Sequence, residues 1–135
     1  MNTILLVDDS PTIRKMVQAS LAGLDDVAFT EASTGLEAIE SLAISSVCLV
    51  VLDLNMPDMH GLDVLKFVRS HNHYKDLPVV VLTTRRDPTS RDAAMRAGAS
   101  AYLTKPFTPS ALATIVSEAL SSAPLHQPLS RSSPI

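Results

Sequence analysis

The chain holds one cysteine, no tryptophan, four glycines and only 4% aromatic residues. Cys48 has no partner within the chain, so an internal disulfide is excluded and the fold must rest on packing. Its place inside an apolar run predicts a small buried hydrophobe. No apolar stretch approaches the ~20 residues that a bilayer span needs. Met1-Asn2-Thr3 leads straight into apolar residues, with no charged leader or cleavage signal, so secretion is not expected. A dominant charge is missing as well. Eleven basic residues stand against 14 acidic ones, for a net charge of −3, which offers no general pull on nucleic acid. These absences predict a cytoplasmic protein with neither a membrane nor nucleic acid as partner.

What is present is alternation. With 135 residues and 46% hydrophobic content, the chain suffices for one domain with a real core. Val47-Cys48-Leu49-Val50-Val51-Leu52 is an unbroken apolar run of the kind buried on both faces of a parallel sheet. It ends at Asp53. Ile4-Leu5-Leu6-Val7 ends in Asp8-Asp9, Val79-Val80-Val81-Leu82 in Thr83-Thr84, and Ala101-Tyr102-Leu103-Thr104 in Lys105-Pro106. Open α/β sheets place their sites at the carboxyl ends of strands. Three acids, a lysine and a hydroxyl, each at a strand end, therefore read as one site.

Helical patterns separate the strands. Ser10-Pro11 has the chemistry of a helix start, and Ile13, Met16, Val17, Leu21 and Leu24 follow at helical spacing. Val27 to Ala32 alternates apolar and polar residues, as befits a strand near a sheet edge. Ser33 or Thr34 caps a second helix, with Leu36, Ile39, Leu42 and Ala43 expected inward. Leu62, Leu65 and Val68 mark a third. Asp87 or Pro88 opens a weak fourth whose apolar face is mostly alanine, ended by Gly98. Pro109 opens a fifth, with Leu112, Ile115, Val116, Ala119 and Leu120 as its stripe. Five strand–helix units predict an α/β fold: a doubly wound five-stranded parallel sheet with five helices on its two faces. The domain is expected over 1–121. The serine- and proline-rich 122–135 is expected to be a flexible tail.

Carboxylates held together without a counterion repel one another, and a divalent cation reverses that cost. An oxygen-only set with no cysteine or histidine in it selects a hard ion such as Mg²⁺. Asp8, Asp9 and Asp53 fit that description, with a backbone carbonyl available near Asn55. Lys105 supplies a point charge for phosphoryl oxygens, and Thr83 a hydroxyl donor. The set suits phosphoryl transfer, in which positioning and charge neutralisation dominate and an aspartate can act as the nucleophile.

Asp8-Asp9, Asp53-x-x-Met56-Pro57-x-x-x-Gly61, Thr83 and Lys105-Pro106, in that order and each at a strand end, resemble the response-regulator receiver domains of two-component signalling. The resemblance covers about residues 2–120 and is closest in kind to single-domain chemotaxis receivers. It implies a flavodoxin-like strand order 2-1-3-4-5. By the resemblance, Asp53 is the phosphoacceptor, served by a sensor histidine kinase. Asp9 and Asp8 position Mg²⁺, with Asn55 lending its backbone carbonyl. Lys105 contacts the phosphoryl group, Thr83 is the switch hydroxyl and Tyr102 the aromatic coupled to it. A downstream protein target would dock on the face made by helix 4, strand 5 and helix 5. The resemblance further implies a cis Lys105-Pro106 bond, and a monomer or weak dimer is expected.

Thr84 departs from the alanine or serine of many relatives, and Arg85 and Arg86 follow it. Arg85 is expected to shield the phosphoryl group from water. His60 is expected to be an exposed loop residue, and His71 and His73 a solvated helix end. Two other functions compete. A Mg²⁺-dependent aspartyl phosphatase usually carries Asp-x-Asp after its first strand, where this chain has Asp8-Asp9-Ser10. A receiver-like module that is never phosphorylated would not need the full acid set and Lys105.

Overall fold

A computed structural model describes residues 2–122. The elements alternate without exception: β1 (Asn2–Val7), α1 (Pro11–Leu21), β2 (Val27–Ala32), α2 (Gly35–Ile44), β3 (Leu49–Leu52), α3 (Gly61–Ser70), β4 (Val79–Thr83), α4 (Pro88–Arg96), β5 (Ala101–Thr104) and α5 (Pro109–Ser122). All five strands are parallel, in the order β2-β1-β3-β4-β5. The predicted architecture is thus the observed one, and the alternating β2 does lie at an edge. The tail expected over 122–135 falls outside the described residues, apart from Ser122 at the end of α5.

Strand alternation divides the core in two. Leu5, Val7, Val50, Leu52, Val79 and Val81 pack with Ala38 and Leu42 of α2, Val64, Leu65 and Val68 of α3, and Ala94 of α4. Ile4, Leu6, Leu49, Val51, Val80 and Leu82 face the other way, onto Val17 and Leu21 of α1 and Leu112 and Val116 of α5. The sheet is therefore covered on both faces, as its apolar runs require. Truncating a buried leucine such as Leu65 in such a core costs about 2–5 kcal/mol.

Four burial assignments are corrected. Leu36 is 58% exposed and Ala43 is exposed; the buried stripe of α2 is Gly35, Ala38 and Leu42. Met16 of α1 is 45% exposed. Cys48 precedes β3 and is half-buried, although its N–H still donates to Thr3 O at 2.8 Å. The α2 error has a long-range cause. Both carboxylate oxygens of Asp58 accept from the first amides of α2, Gly35 N at 2.9 Å and Leu36 N at 3.0 Å. Gly35 also lies so close to Met59 that a Cβ there would stand 2.3 Å from Met59 Cγ. The loop after β3 sets the roll of the helix.

Helix boundaries follow the expected chemistry. Ser10 Oγ accepts from Ile13 N at 3.2 Å, Thr34 Oγ1 from Glu37 N at 3.1 Å, and Asp87 Oδ2 from Ser90 N at 2.9 Å, each meeting an amide the helix leaves open. Gly98, at φ +107°, closes α4 in a backbone region that favours glycine.

Candidate functional site

Parallel pairing sends the carboxyl ends of β1, β3, β4 and β5 to one rim. Asp8 follows β1 directly, and its amide still bonds Ala32 O at 3.1 Å. Asp53 follows β3, and its amide bonds Val7 O at 2.9 Å. These two ladder bonds fix the roots of both side chains. Asp8 and Asp53 are both buried at 5% exposure, while Asp9 is exposed. A carboxylate oxygen from each of the three lies within 4.8 Å of the others.

Lys105 reaches this cluster from beyond β5. Its backbone amide donates to Thr83 O at 2.7 Å, which ties it to the end of β4. Its Nζ donates to Asp8 Oδ2 at 2.7 Å and stands 3.7 Å from Asp53 Oδ2. The bond to Pro106 is cis, as expected. Asp8 also accepts from Ser10 N at 2.9 Å, and Asp53 from Asn55 N at 3.3 Å. Burial pushes the Asp53 carboxyl above its ordinary range. Lys105 pulls it back down, and Asp8 and Asp9 push it up again.

The oxygen-only donor set fits a hard divalent cation, which prefers carboxylates and carbonyls and retains waters of its own. An open cavity of about 540 Å³ gives access beside Asp9. It is lined by Asn55, Met56, Pro57, Met59 and His60. His60 is exposed as expected but also caps α3, its Nδ1 accepting from Leu62 N at 3.1 Å.

Gly61 belongs to the site through what it lacks. A Cβ on it would lie 2.4 Å from Asp53 O and 2.7 Å from Leu54 Cα. The start of α3 therefore passes against the backbone that presents Asp53, and Gly61 N donates to Leu54 O at 2.8 Å.

The chain matches the response regulator receiver domain model over residues 4–117. It belongs to the response regulator receiver family. Among relatives, it is 39% identical over 110 residues to the chemotaxis protein CheY1 of Helicobacter pylori, spanning 81% of this chain and 89% of that protein. Among solved structures, chemotaxis protein CheY4 of Vibrio cholerae superposes with a TM-score of 0.80 at 33% identity, covering 88% of this chain and 98% of the other. A Mn²⁺-bound form of the response regulator Rcp1 superposes with a TM-score of 0.81 at 29% identity, covering 92% and 98%. The receiver domain described here is thus a CheY-type signalling switch in fold and family.

Not every expected site residue joins the acid cluster directly. Thr83 is fully buried at the end of β4, and its Oγ1 accepts from Arg85 N at 3.3 Å. Tyr102 is buried at 8% exposure and turned under the β4–α4 loop, where its hydroxyl donates to Arg85 O at 2.8 Å. Desolvation raises the Tyr102 phenol above its usual range, as does nearby Asp87, while Arg85 and Arg91 act the other way. The Arg91 guanidinium of α4 lies 5.6 Å from the Tyr102 ring centre, within cation–π range. Arg85 Nε reaches Asn55 Oδ1 at 3.5 Å, the limit of a hydrogen bond, across the mouth of the site.

The histidines of the α3 end are more structured than expected. His71 packs its ring 4.6 Å from Tyr74 and accepts from His73 N. Two contributors to the site, Asp58 and Arg14, were missed from sequence. Asp58 steadies the β3–α3 loop against α2, and Arg14 bonds the backbone carbonyl of Asp8. A lone arginine on a helix and an acid in a loop both look like ordinary solvated charges.

Proposed function

We propose that this receiver domain accepts a phosphoryl group on Asp53 from a sensor histidine kinase, with Mg²⁺ held by Asp8, Asp9, Asp53 and the backbone carbonyl of Asn55. The observation that carries the reading is the shared position of three carboxylates and Lys105, with Asp53 buried at the end of the central strand β3. An Asp53 carboxylate oxygen attacks phosphorus. The bond from phosphorus to the donor's imidazole nitrogen, or to the acyl oxygen of a small acyl phosphate, breaks, and the donor keeps the electron pair. Bound Mg²⁺ supplies charge neutralisation for the three acids and the phosphoryl oxygens.

The chain's own residues do the remaining work. Lys105, tethered at its backbone to Thr83, places a positive charge beside Asp53 and the incoming phosphoryl oxygens. The Asn55 amide holds one Asp53 oxygen and so directs the other. Thr83 offers a hydroxyl that can leave Arg85 N for the phosphoryl group. That exchange would reach Tyr102 through the Arg85 backbone, since both ends of Arg85 are bonded. Tyr102 in turn lies against α4 through Arg91. This helix has a single buried residue, Ala94, so few apolar contacts resist its shift. The face made by α4, β5 and α5 is the proposed docking surface for a downstream target protein, and hydrolysis of the acyl phosphate resets the switch. The chain would work as a monomer or weak dimer.

The phosphatase alternative gains nothing from the structure. Ser10, where a second acid would be needed, is committed as the α1 cap. The test against a passive module is beryllofluoride with Mg²⁺, a phosphoryl mimic, followed by amide NMR. Shifts that need both reagents and reach Thr83, Tyr102 and α4 support the proposal. A spectrum that does not respond refutes it.

A further inference from the structure

Among the described residues, Arg14 is the one cation besides Lys105 bonded to the acidic pair. It sits in the first turns of α1, and its guanidinium makes two directed contacts. One donor goes to the backbone carbonyl of Asp8. Nε donates to Glu31 Oε1 at 2.7 Å, a salt bridge from α1 to the edge strand β2. The Arg14 side chain is only 14% exposed, whereas Glu31 is 46% exposed. The Glu31 carboxyl is held below its ordinary range first by this hydrogen bond.

The carbonyl that Arg14 holds belongs to the peptide joining Asp8 to Asp9. The other anchors of this turn found among the described residues act on Asp8: Ala32 O on its amide, and Ser10 N and Lys105 on its carboxylate. Asp9 is exposed, so its direction depends on the plane of the peptide that precedes it. An outer group that fixes a ligand's orientation changes metal affinity without touching the metal. Glu31 also supplies a negative charge beside Arg14, so the clamp adds little net repulsion toward a cation.

We propose that Arg14, anchored by Glu31, is a positioning residue for the metal site: it sets the Asp8-Asp9 peptide so that Asp9 points to the shared cation position. The inference rests on the reading of Asp8, Asp9 and Asp53 as the metal ligands. It gives the edge strand a part in the site, although β2 contributes no residue to the acid cluster.

The test is calorimetric titration of Mg²⁺ into the full metal-free chain, wild type beside Arg14→Met, Arg14→Lys and Glu31→Ala. Arg14→Met keeps the side-chain bulk and removes both the charge and the donors. Positioning predicts Mg²⁺ binding weaker by roughly tenfold, the low end for outer-shell partners. Loss of a positive charge alone would make binding tighter. Arg14→Lys, which keeps the charge without the fork, is expected to fall between Arg14→Met and wild type. In phosphorylation by acetyl phosphate, the half-saturating Mg²⁺ concentration should rise while the rate at saturating Mg²⁺ stays within about twofold. Unchanged or tighter binding by folded Arg14→Met overturns the proposal. Should that variant not fold, Arg14→Lys decides at constant charge: severalfold weaker binding supports the clamp, and wild-type affinity overturns it. Failure of the wild type itself to bind Mg²⁺ would instead overturn the metal-site reading beneath it.

Discussion

Lys105 is bonded to Asp8 and stands off from Asp53: its Nζ is 2.7 Å from Asp8 Oδ2 and 3.7 Å from Asp53 Oδ2. Lys105 is thus the closer counterion of Asp8. The Asp53 carboxylate keeps an oxygen clear of any short ion pair. On the proposed reading, that division leaves Asp53 open to a phosphoryl group.

Removing the counterion should expose the repulsion it masks. Lys105→Met is expected to lose about 2 kcal/mol at neutral pH, below the 3–5 kcal/mol of fully buried broken pairs, because the site opens to water. Urea unfolding measures this. The deficit should shrink when Mg²⁺ is added or when the acids are protonated. Equal stability of the variant and the wild type at pH 7 would show that the three carboxylates do not strain the fold.

Asp53 carries the opposite sign. Its folded-state pKa is raised above the unfolded value of about 4, so the folded state holds the proton more tightly there. The ionised form therefore costs stability, and that cost grows as pH rises from the unfolded pKa through the folded one. Asp53→Asn abolishes the ionisation and should stabilise the protein at pH 7. It should give no benefit below pH 4. A variant less stable than wild type at neutral pH would contradict the stated balance between burial and Lys105.

The capping acids titrate the other way. Backbone amides of α2 hold Asp58 below its ordinary range, and the Ser90 hydroxyl and amide do the same for Asp87. Their contribution is present above the unfolded carboxylate pKa and lost as pH falls through the lower folded values. Asp58→Asn should therefore flatten the acid limb of a stability–pH profile, and the β3–α3 loop amides should exchange faster. An unaltered acid limb would remove Asp58 from the account.

At Gly61 the constraint is steric. Gly61→Ala places a methyl group 2.4 Å from Asp53 O, and the close atoms are all backbone of Asp53 and Leu54, with no flexible side chain to give way. Overpacking of this kind costs about 1–3 kcal/mol. Phosphorylation by acetyl phosphate should slow more than stability alone explains, since the displaced backbone is the one that carries Asp53. Wild-type kinetics in this variant would show that the approach can relax harmlessly.

Arg85 spans the mouth of the site toward Asn55. Arg85→Ala should admit water and shorten the life of the phosphorylated form severalfold, measured after the donor is removed. An unchanged lifetime would end the shielding hypothesis.

Much of this architecture could be read from the chain because its strands are buried on both faces. Such strands are written as apolar runs, and the residue that ends each run must emerge at the rim; that is why Asp8, Asp53, Thr83 and Lys105 were legible. Helix roll was less so. Leu36 looks inward by spacing, but the Asp58 carboxylate and Met59 turn α2 so that Gly35 and Ala38 pack instead, and within α2 only the missing side chain of Gly35 answers to that contact. Arg14 and Asp58 escaped for a related reason. Their role lies in bonds to groups on other segments, Asp58 to the Gly35 and Leu36 amides and Arg14 to Asp8 O and Glu31, which leave no periodic trace.

The central claim is that separate strand ends converge to make Asp53 a magnesium-dependent phosphoacceptor. Intact-mass spectrometry after incubation with acetyl phosphate tests it most directly. One added phosphoryl group, formed only with Mg²⁺ and absent in Asp53→Asn, is the predicted result. No mass gain in the wild type, or an equal gain in Asp53→Asn, would contradict it.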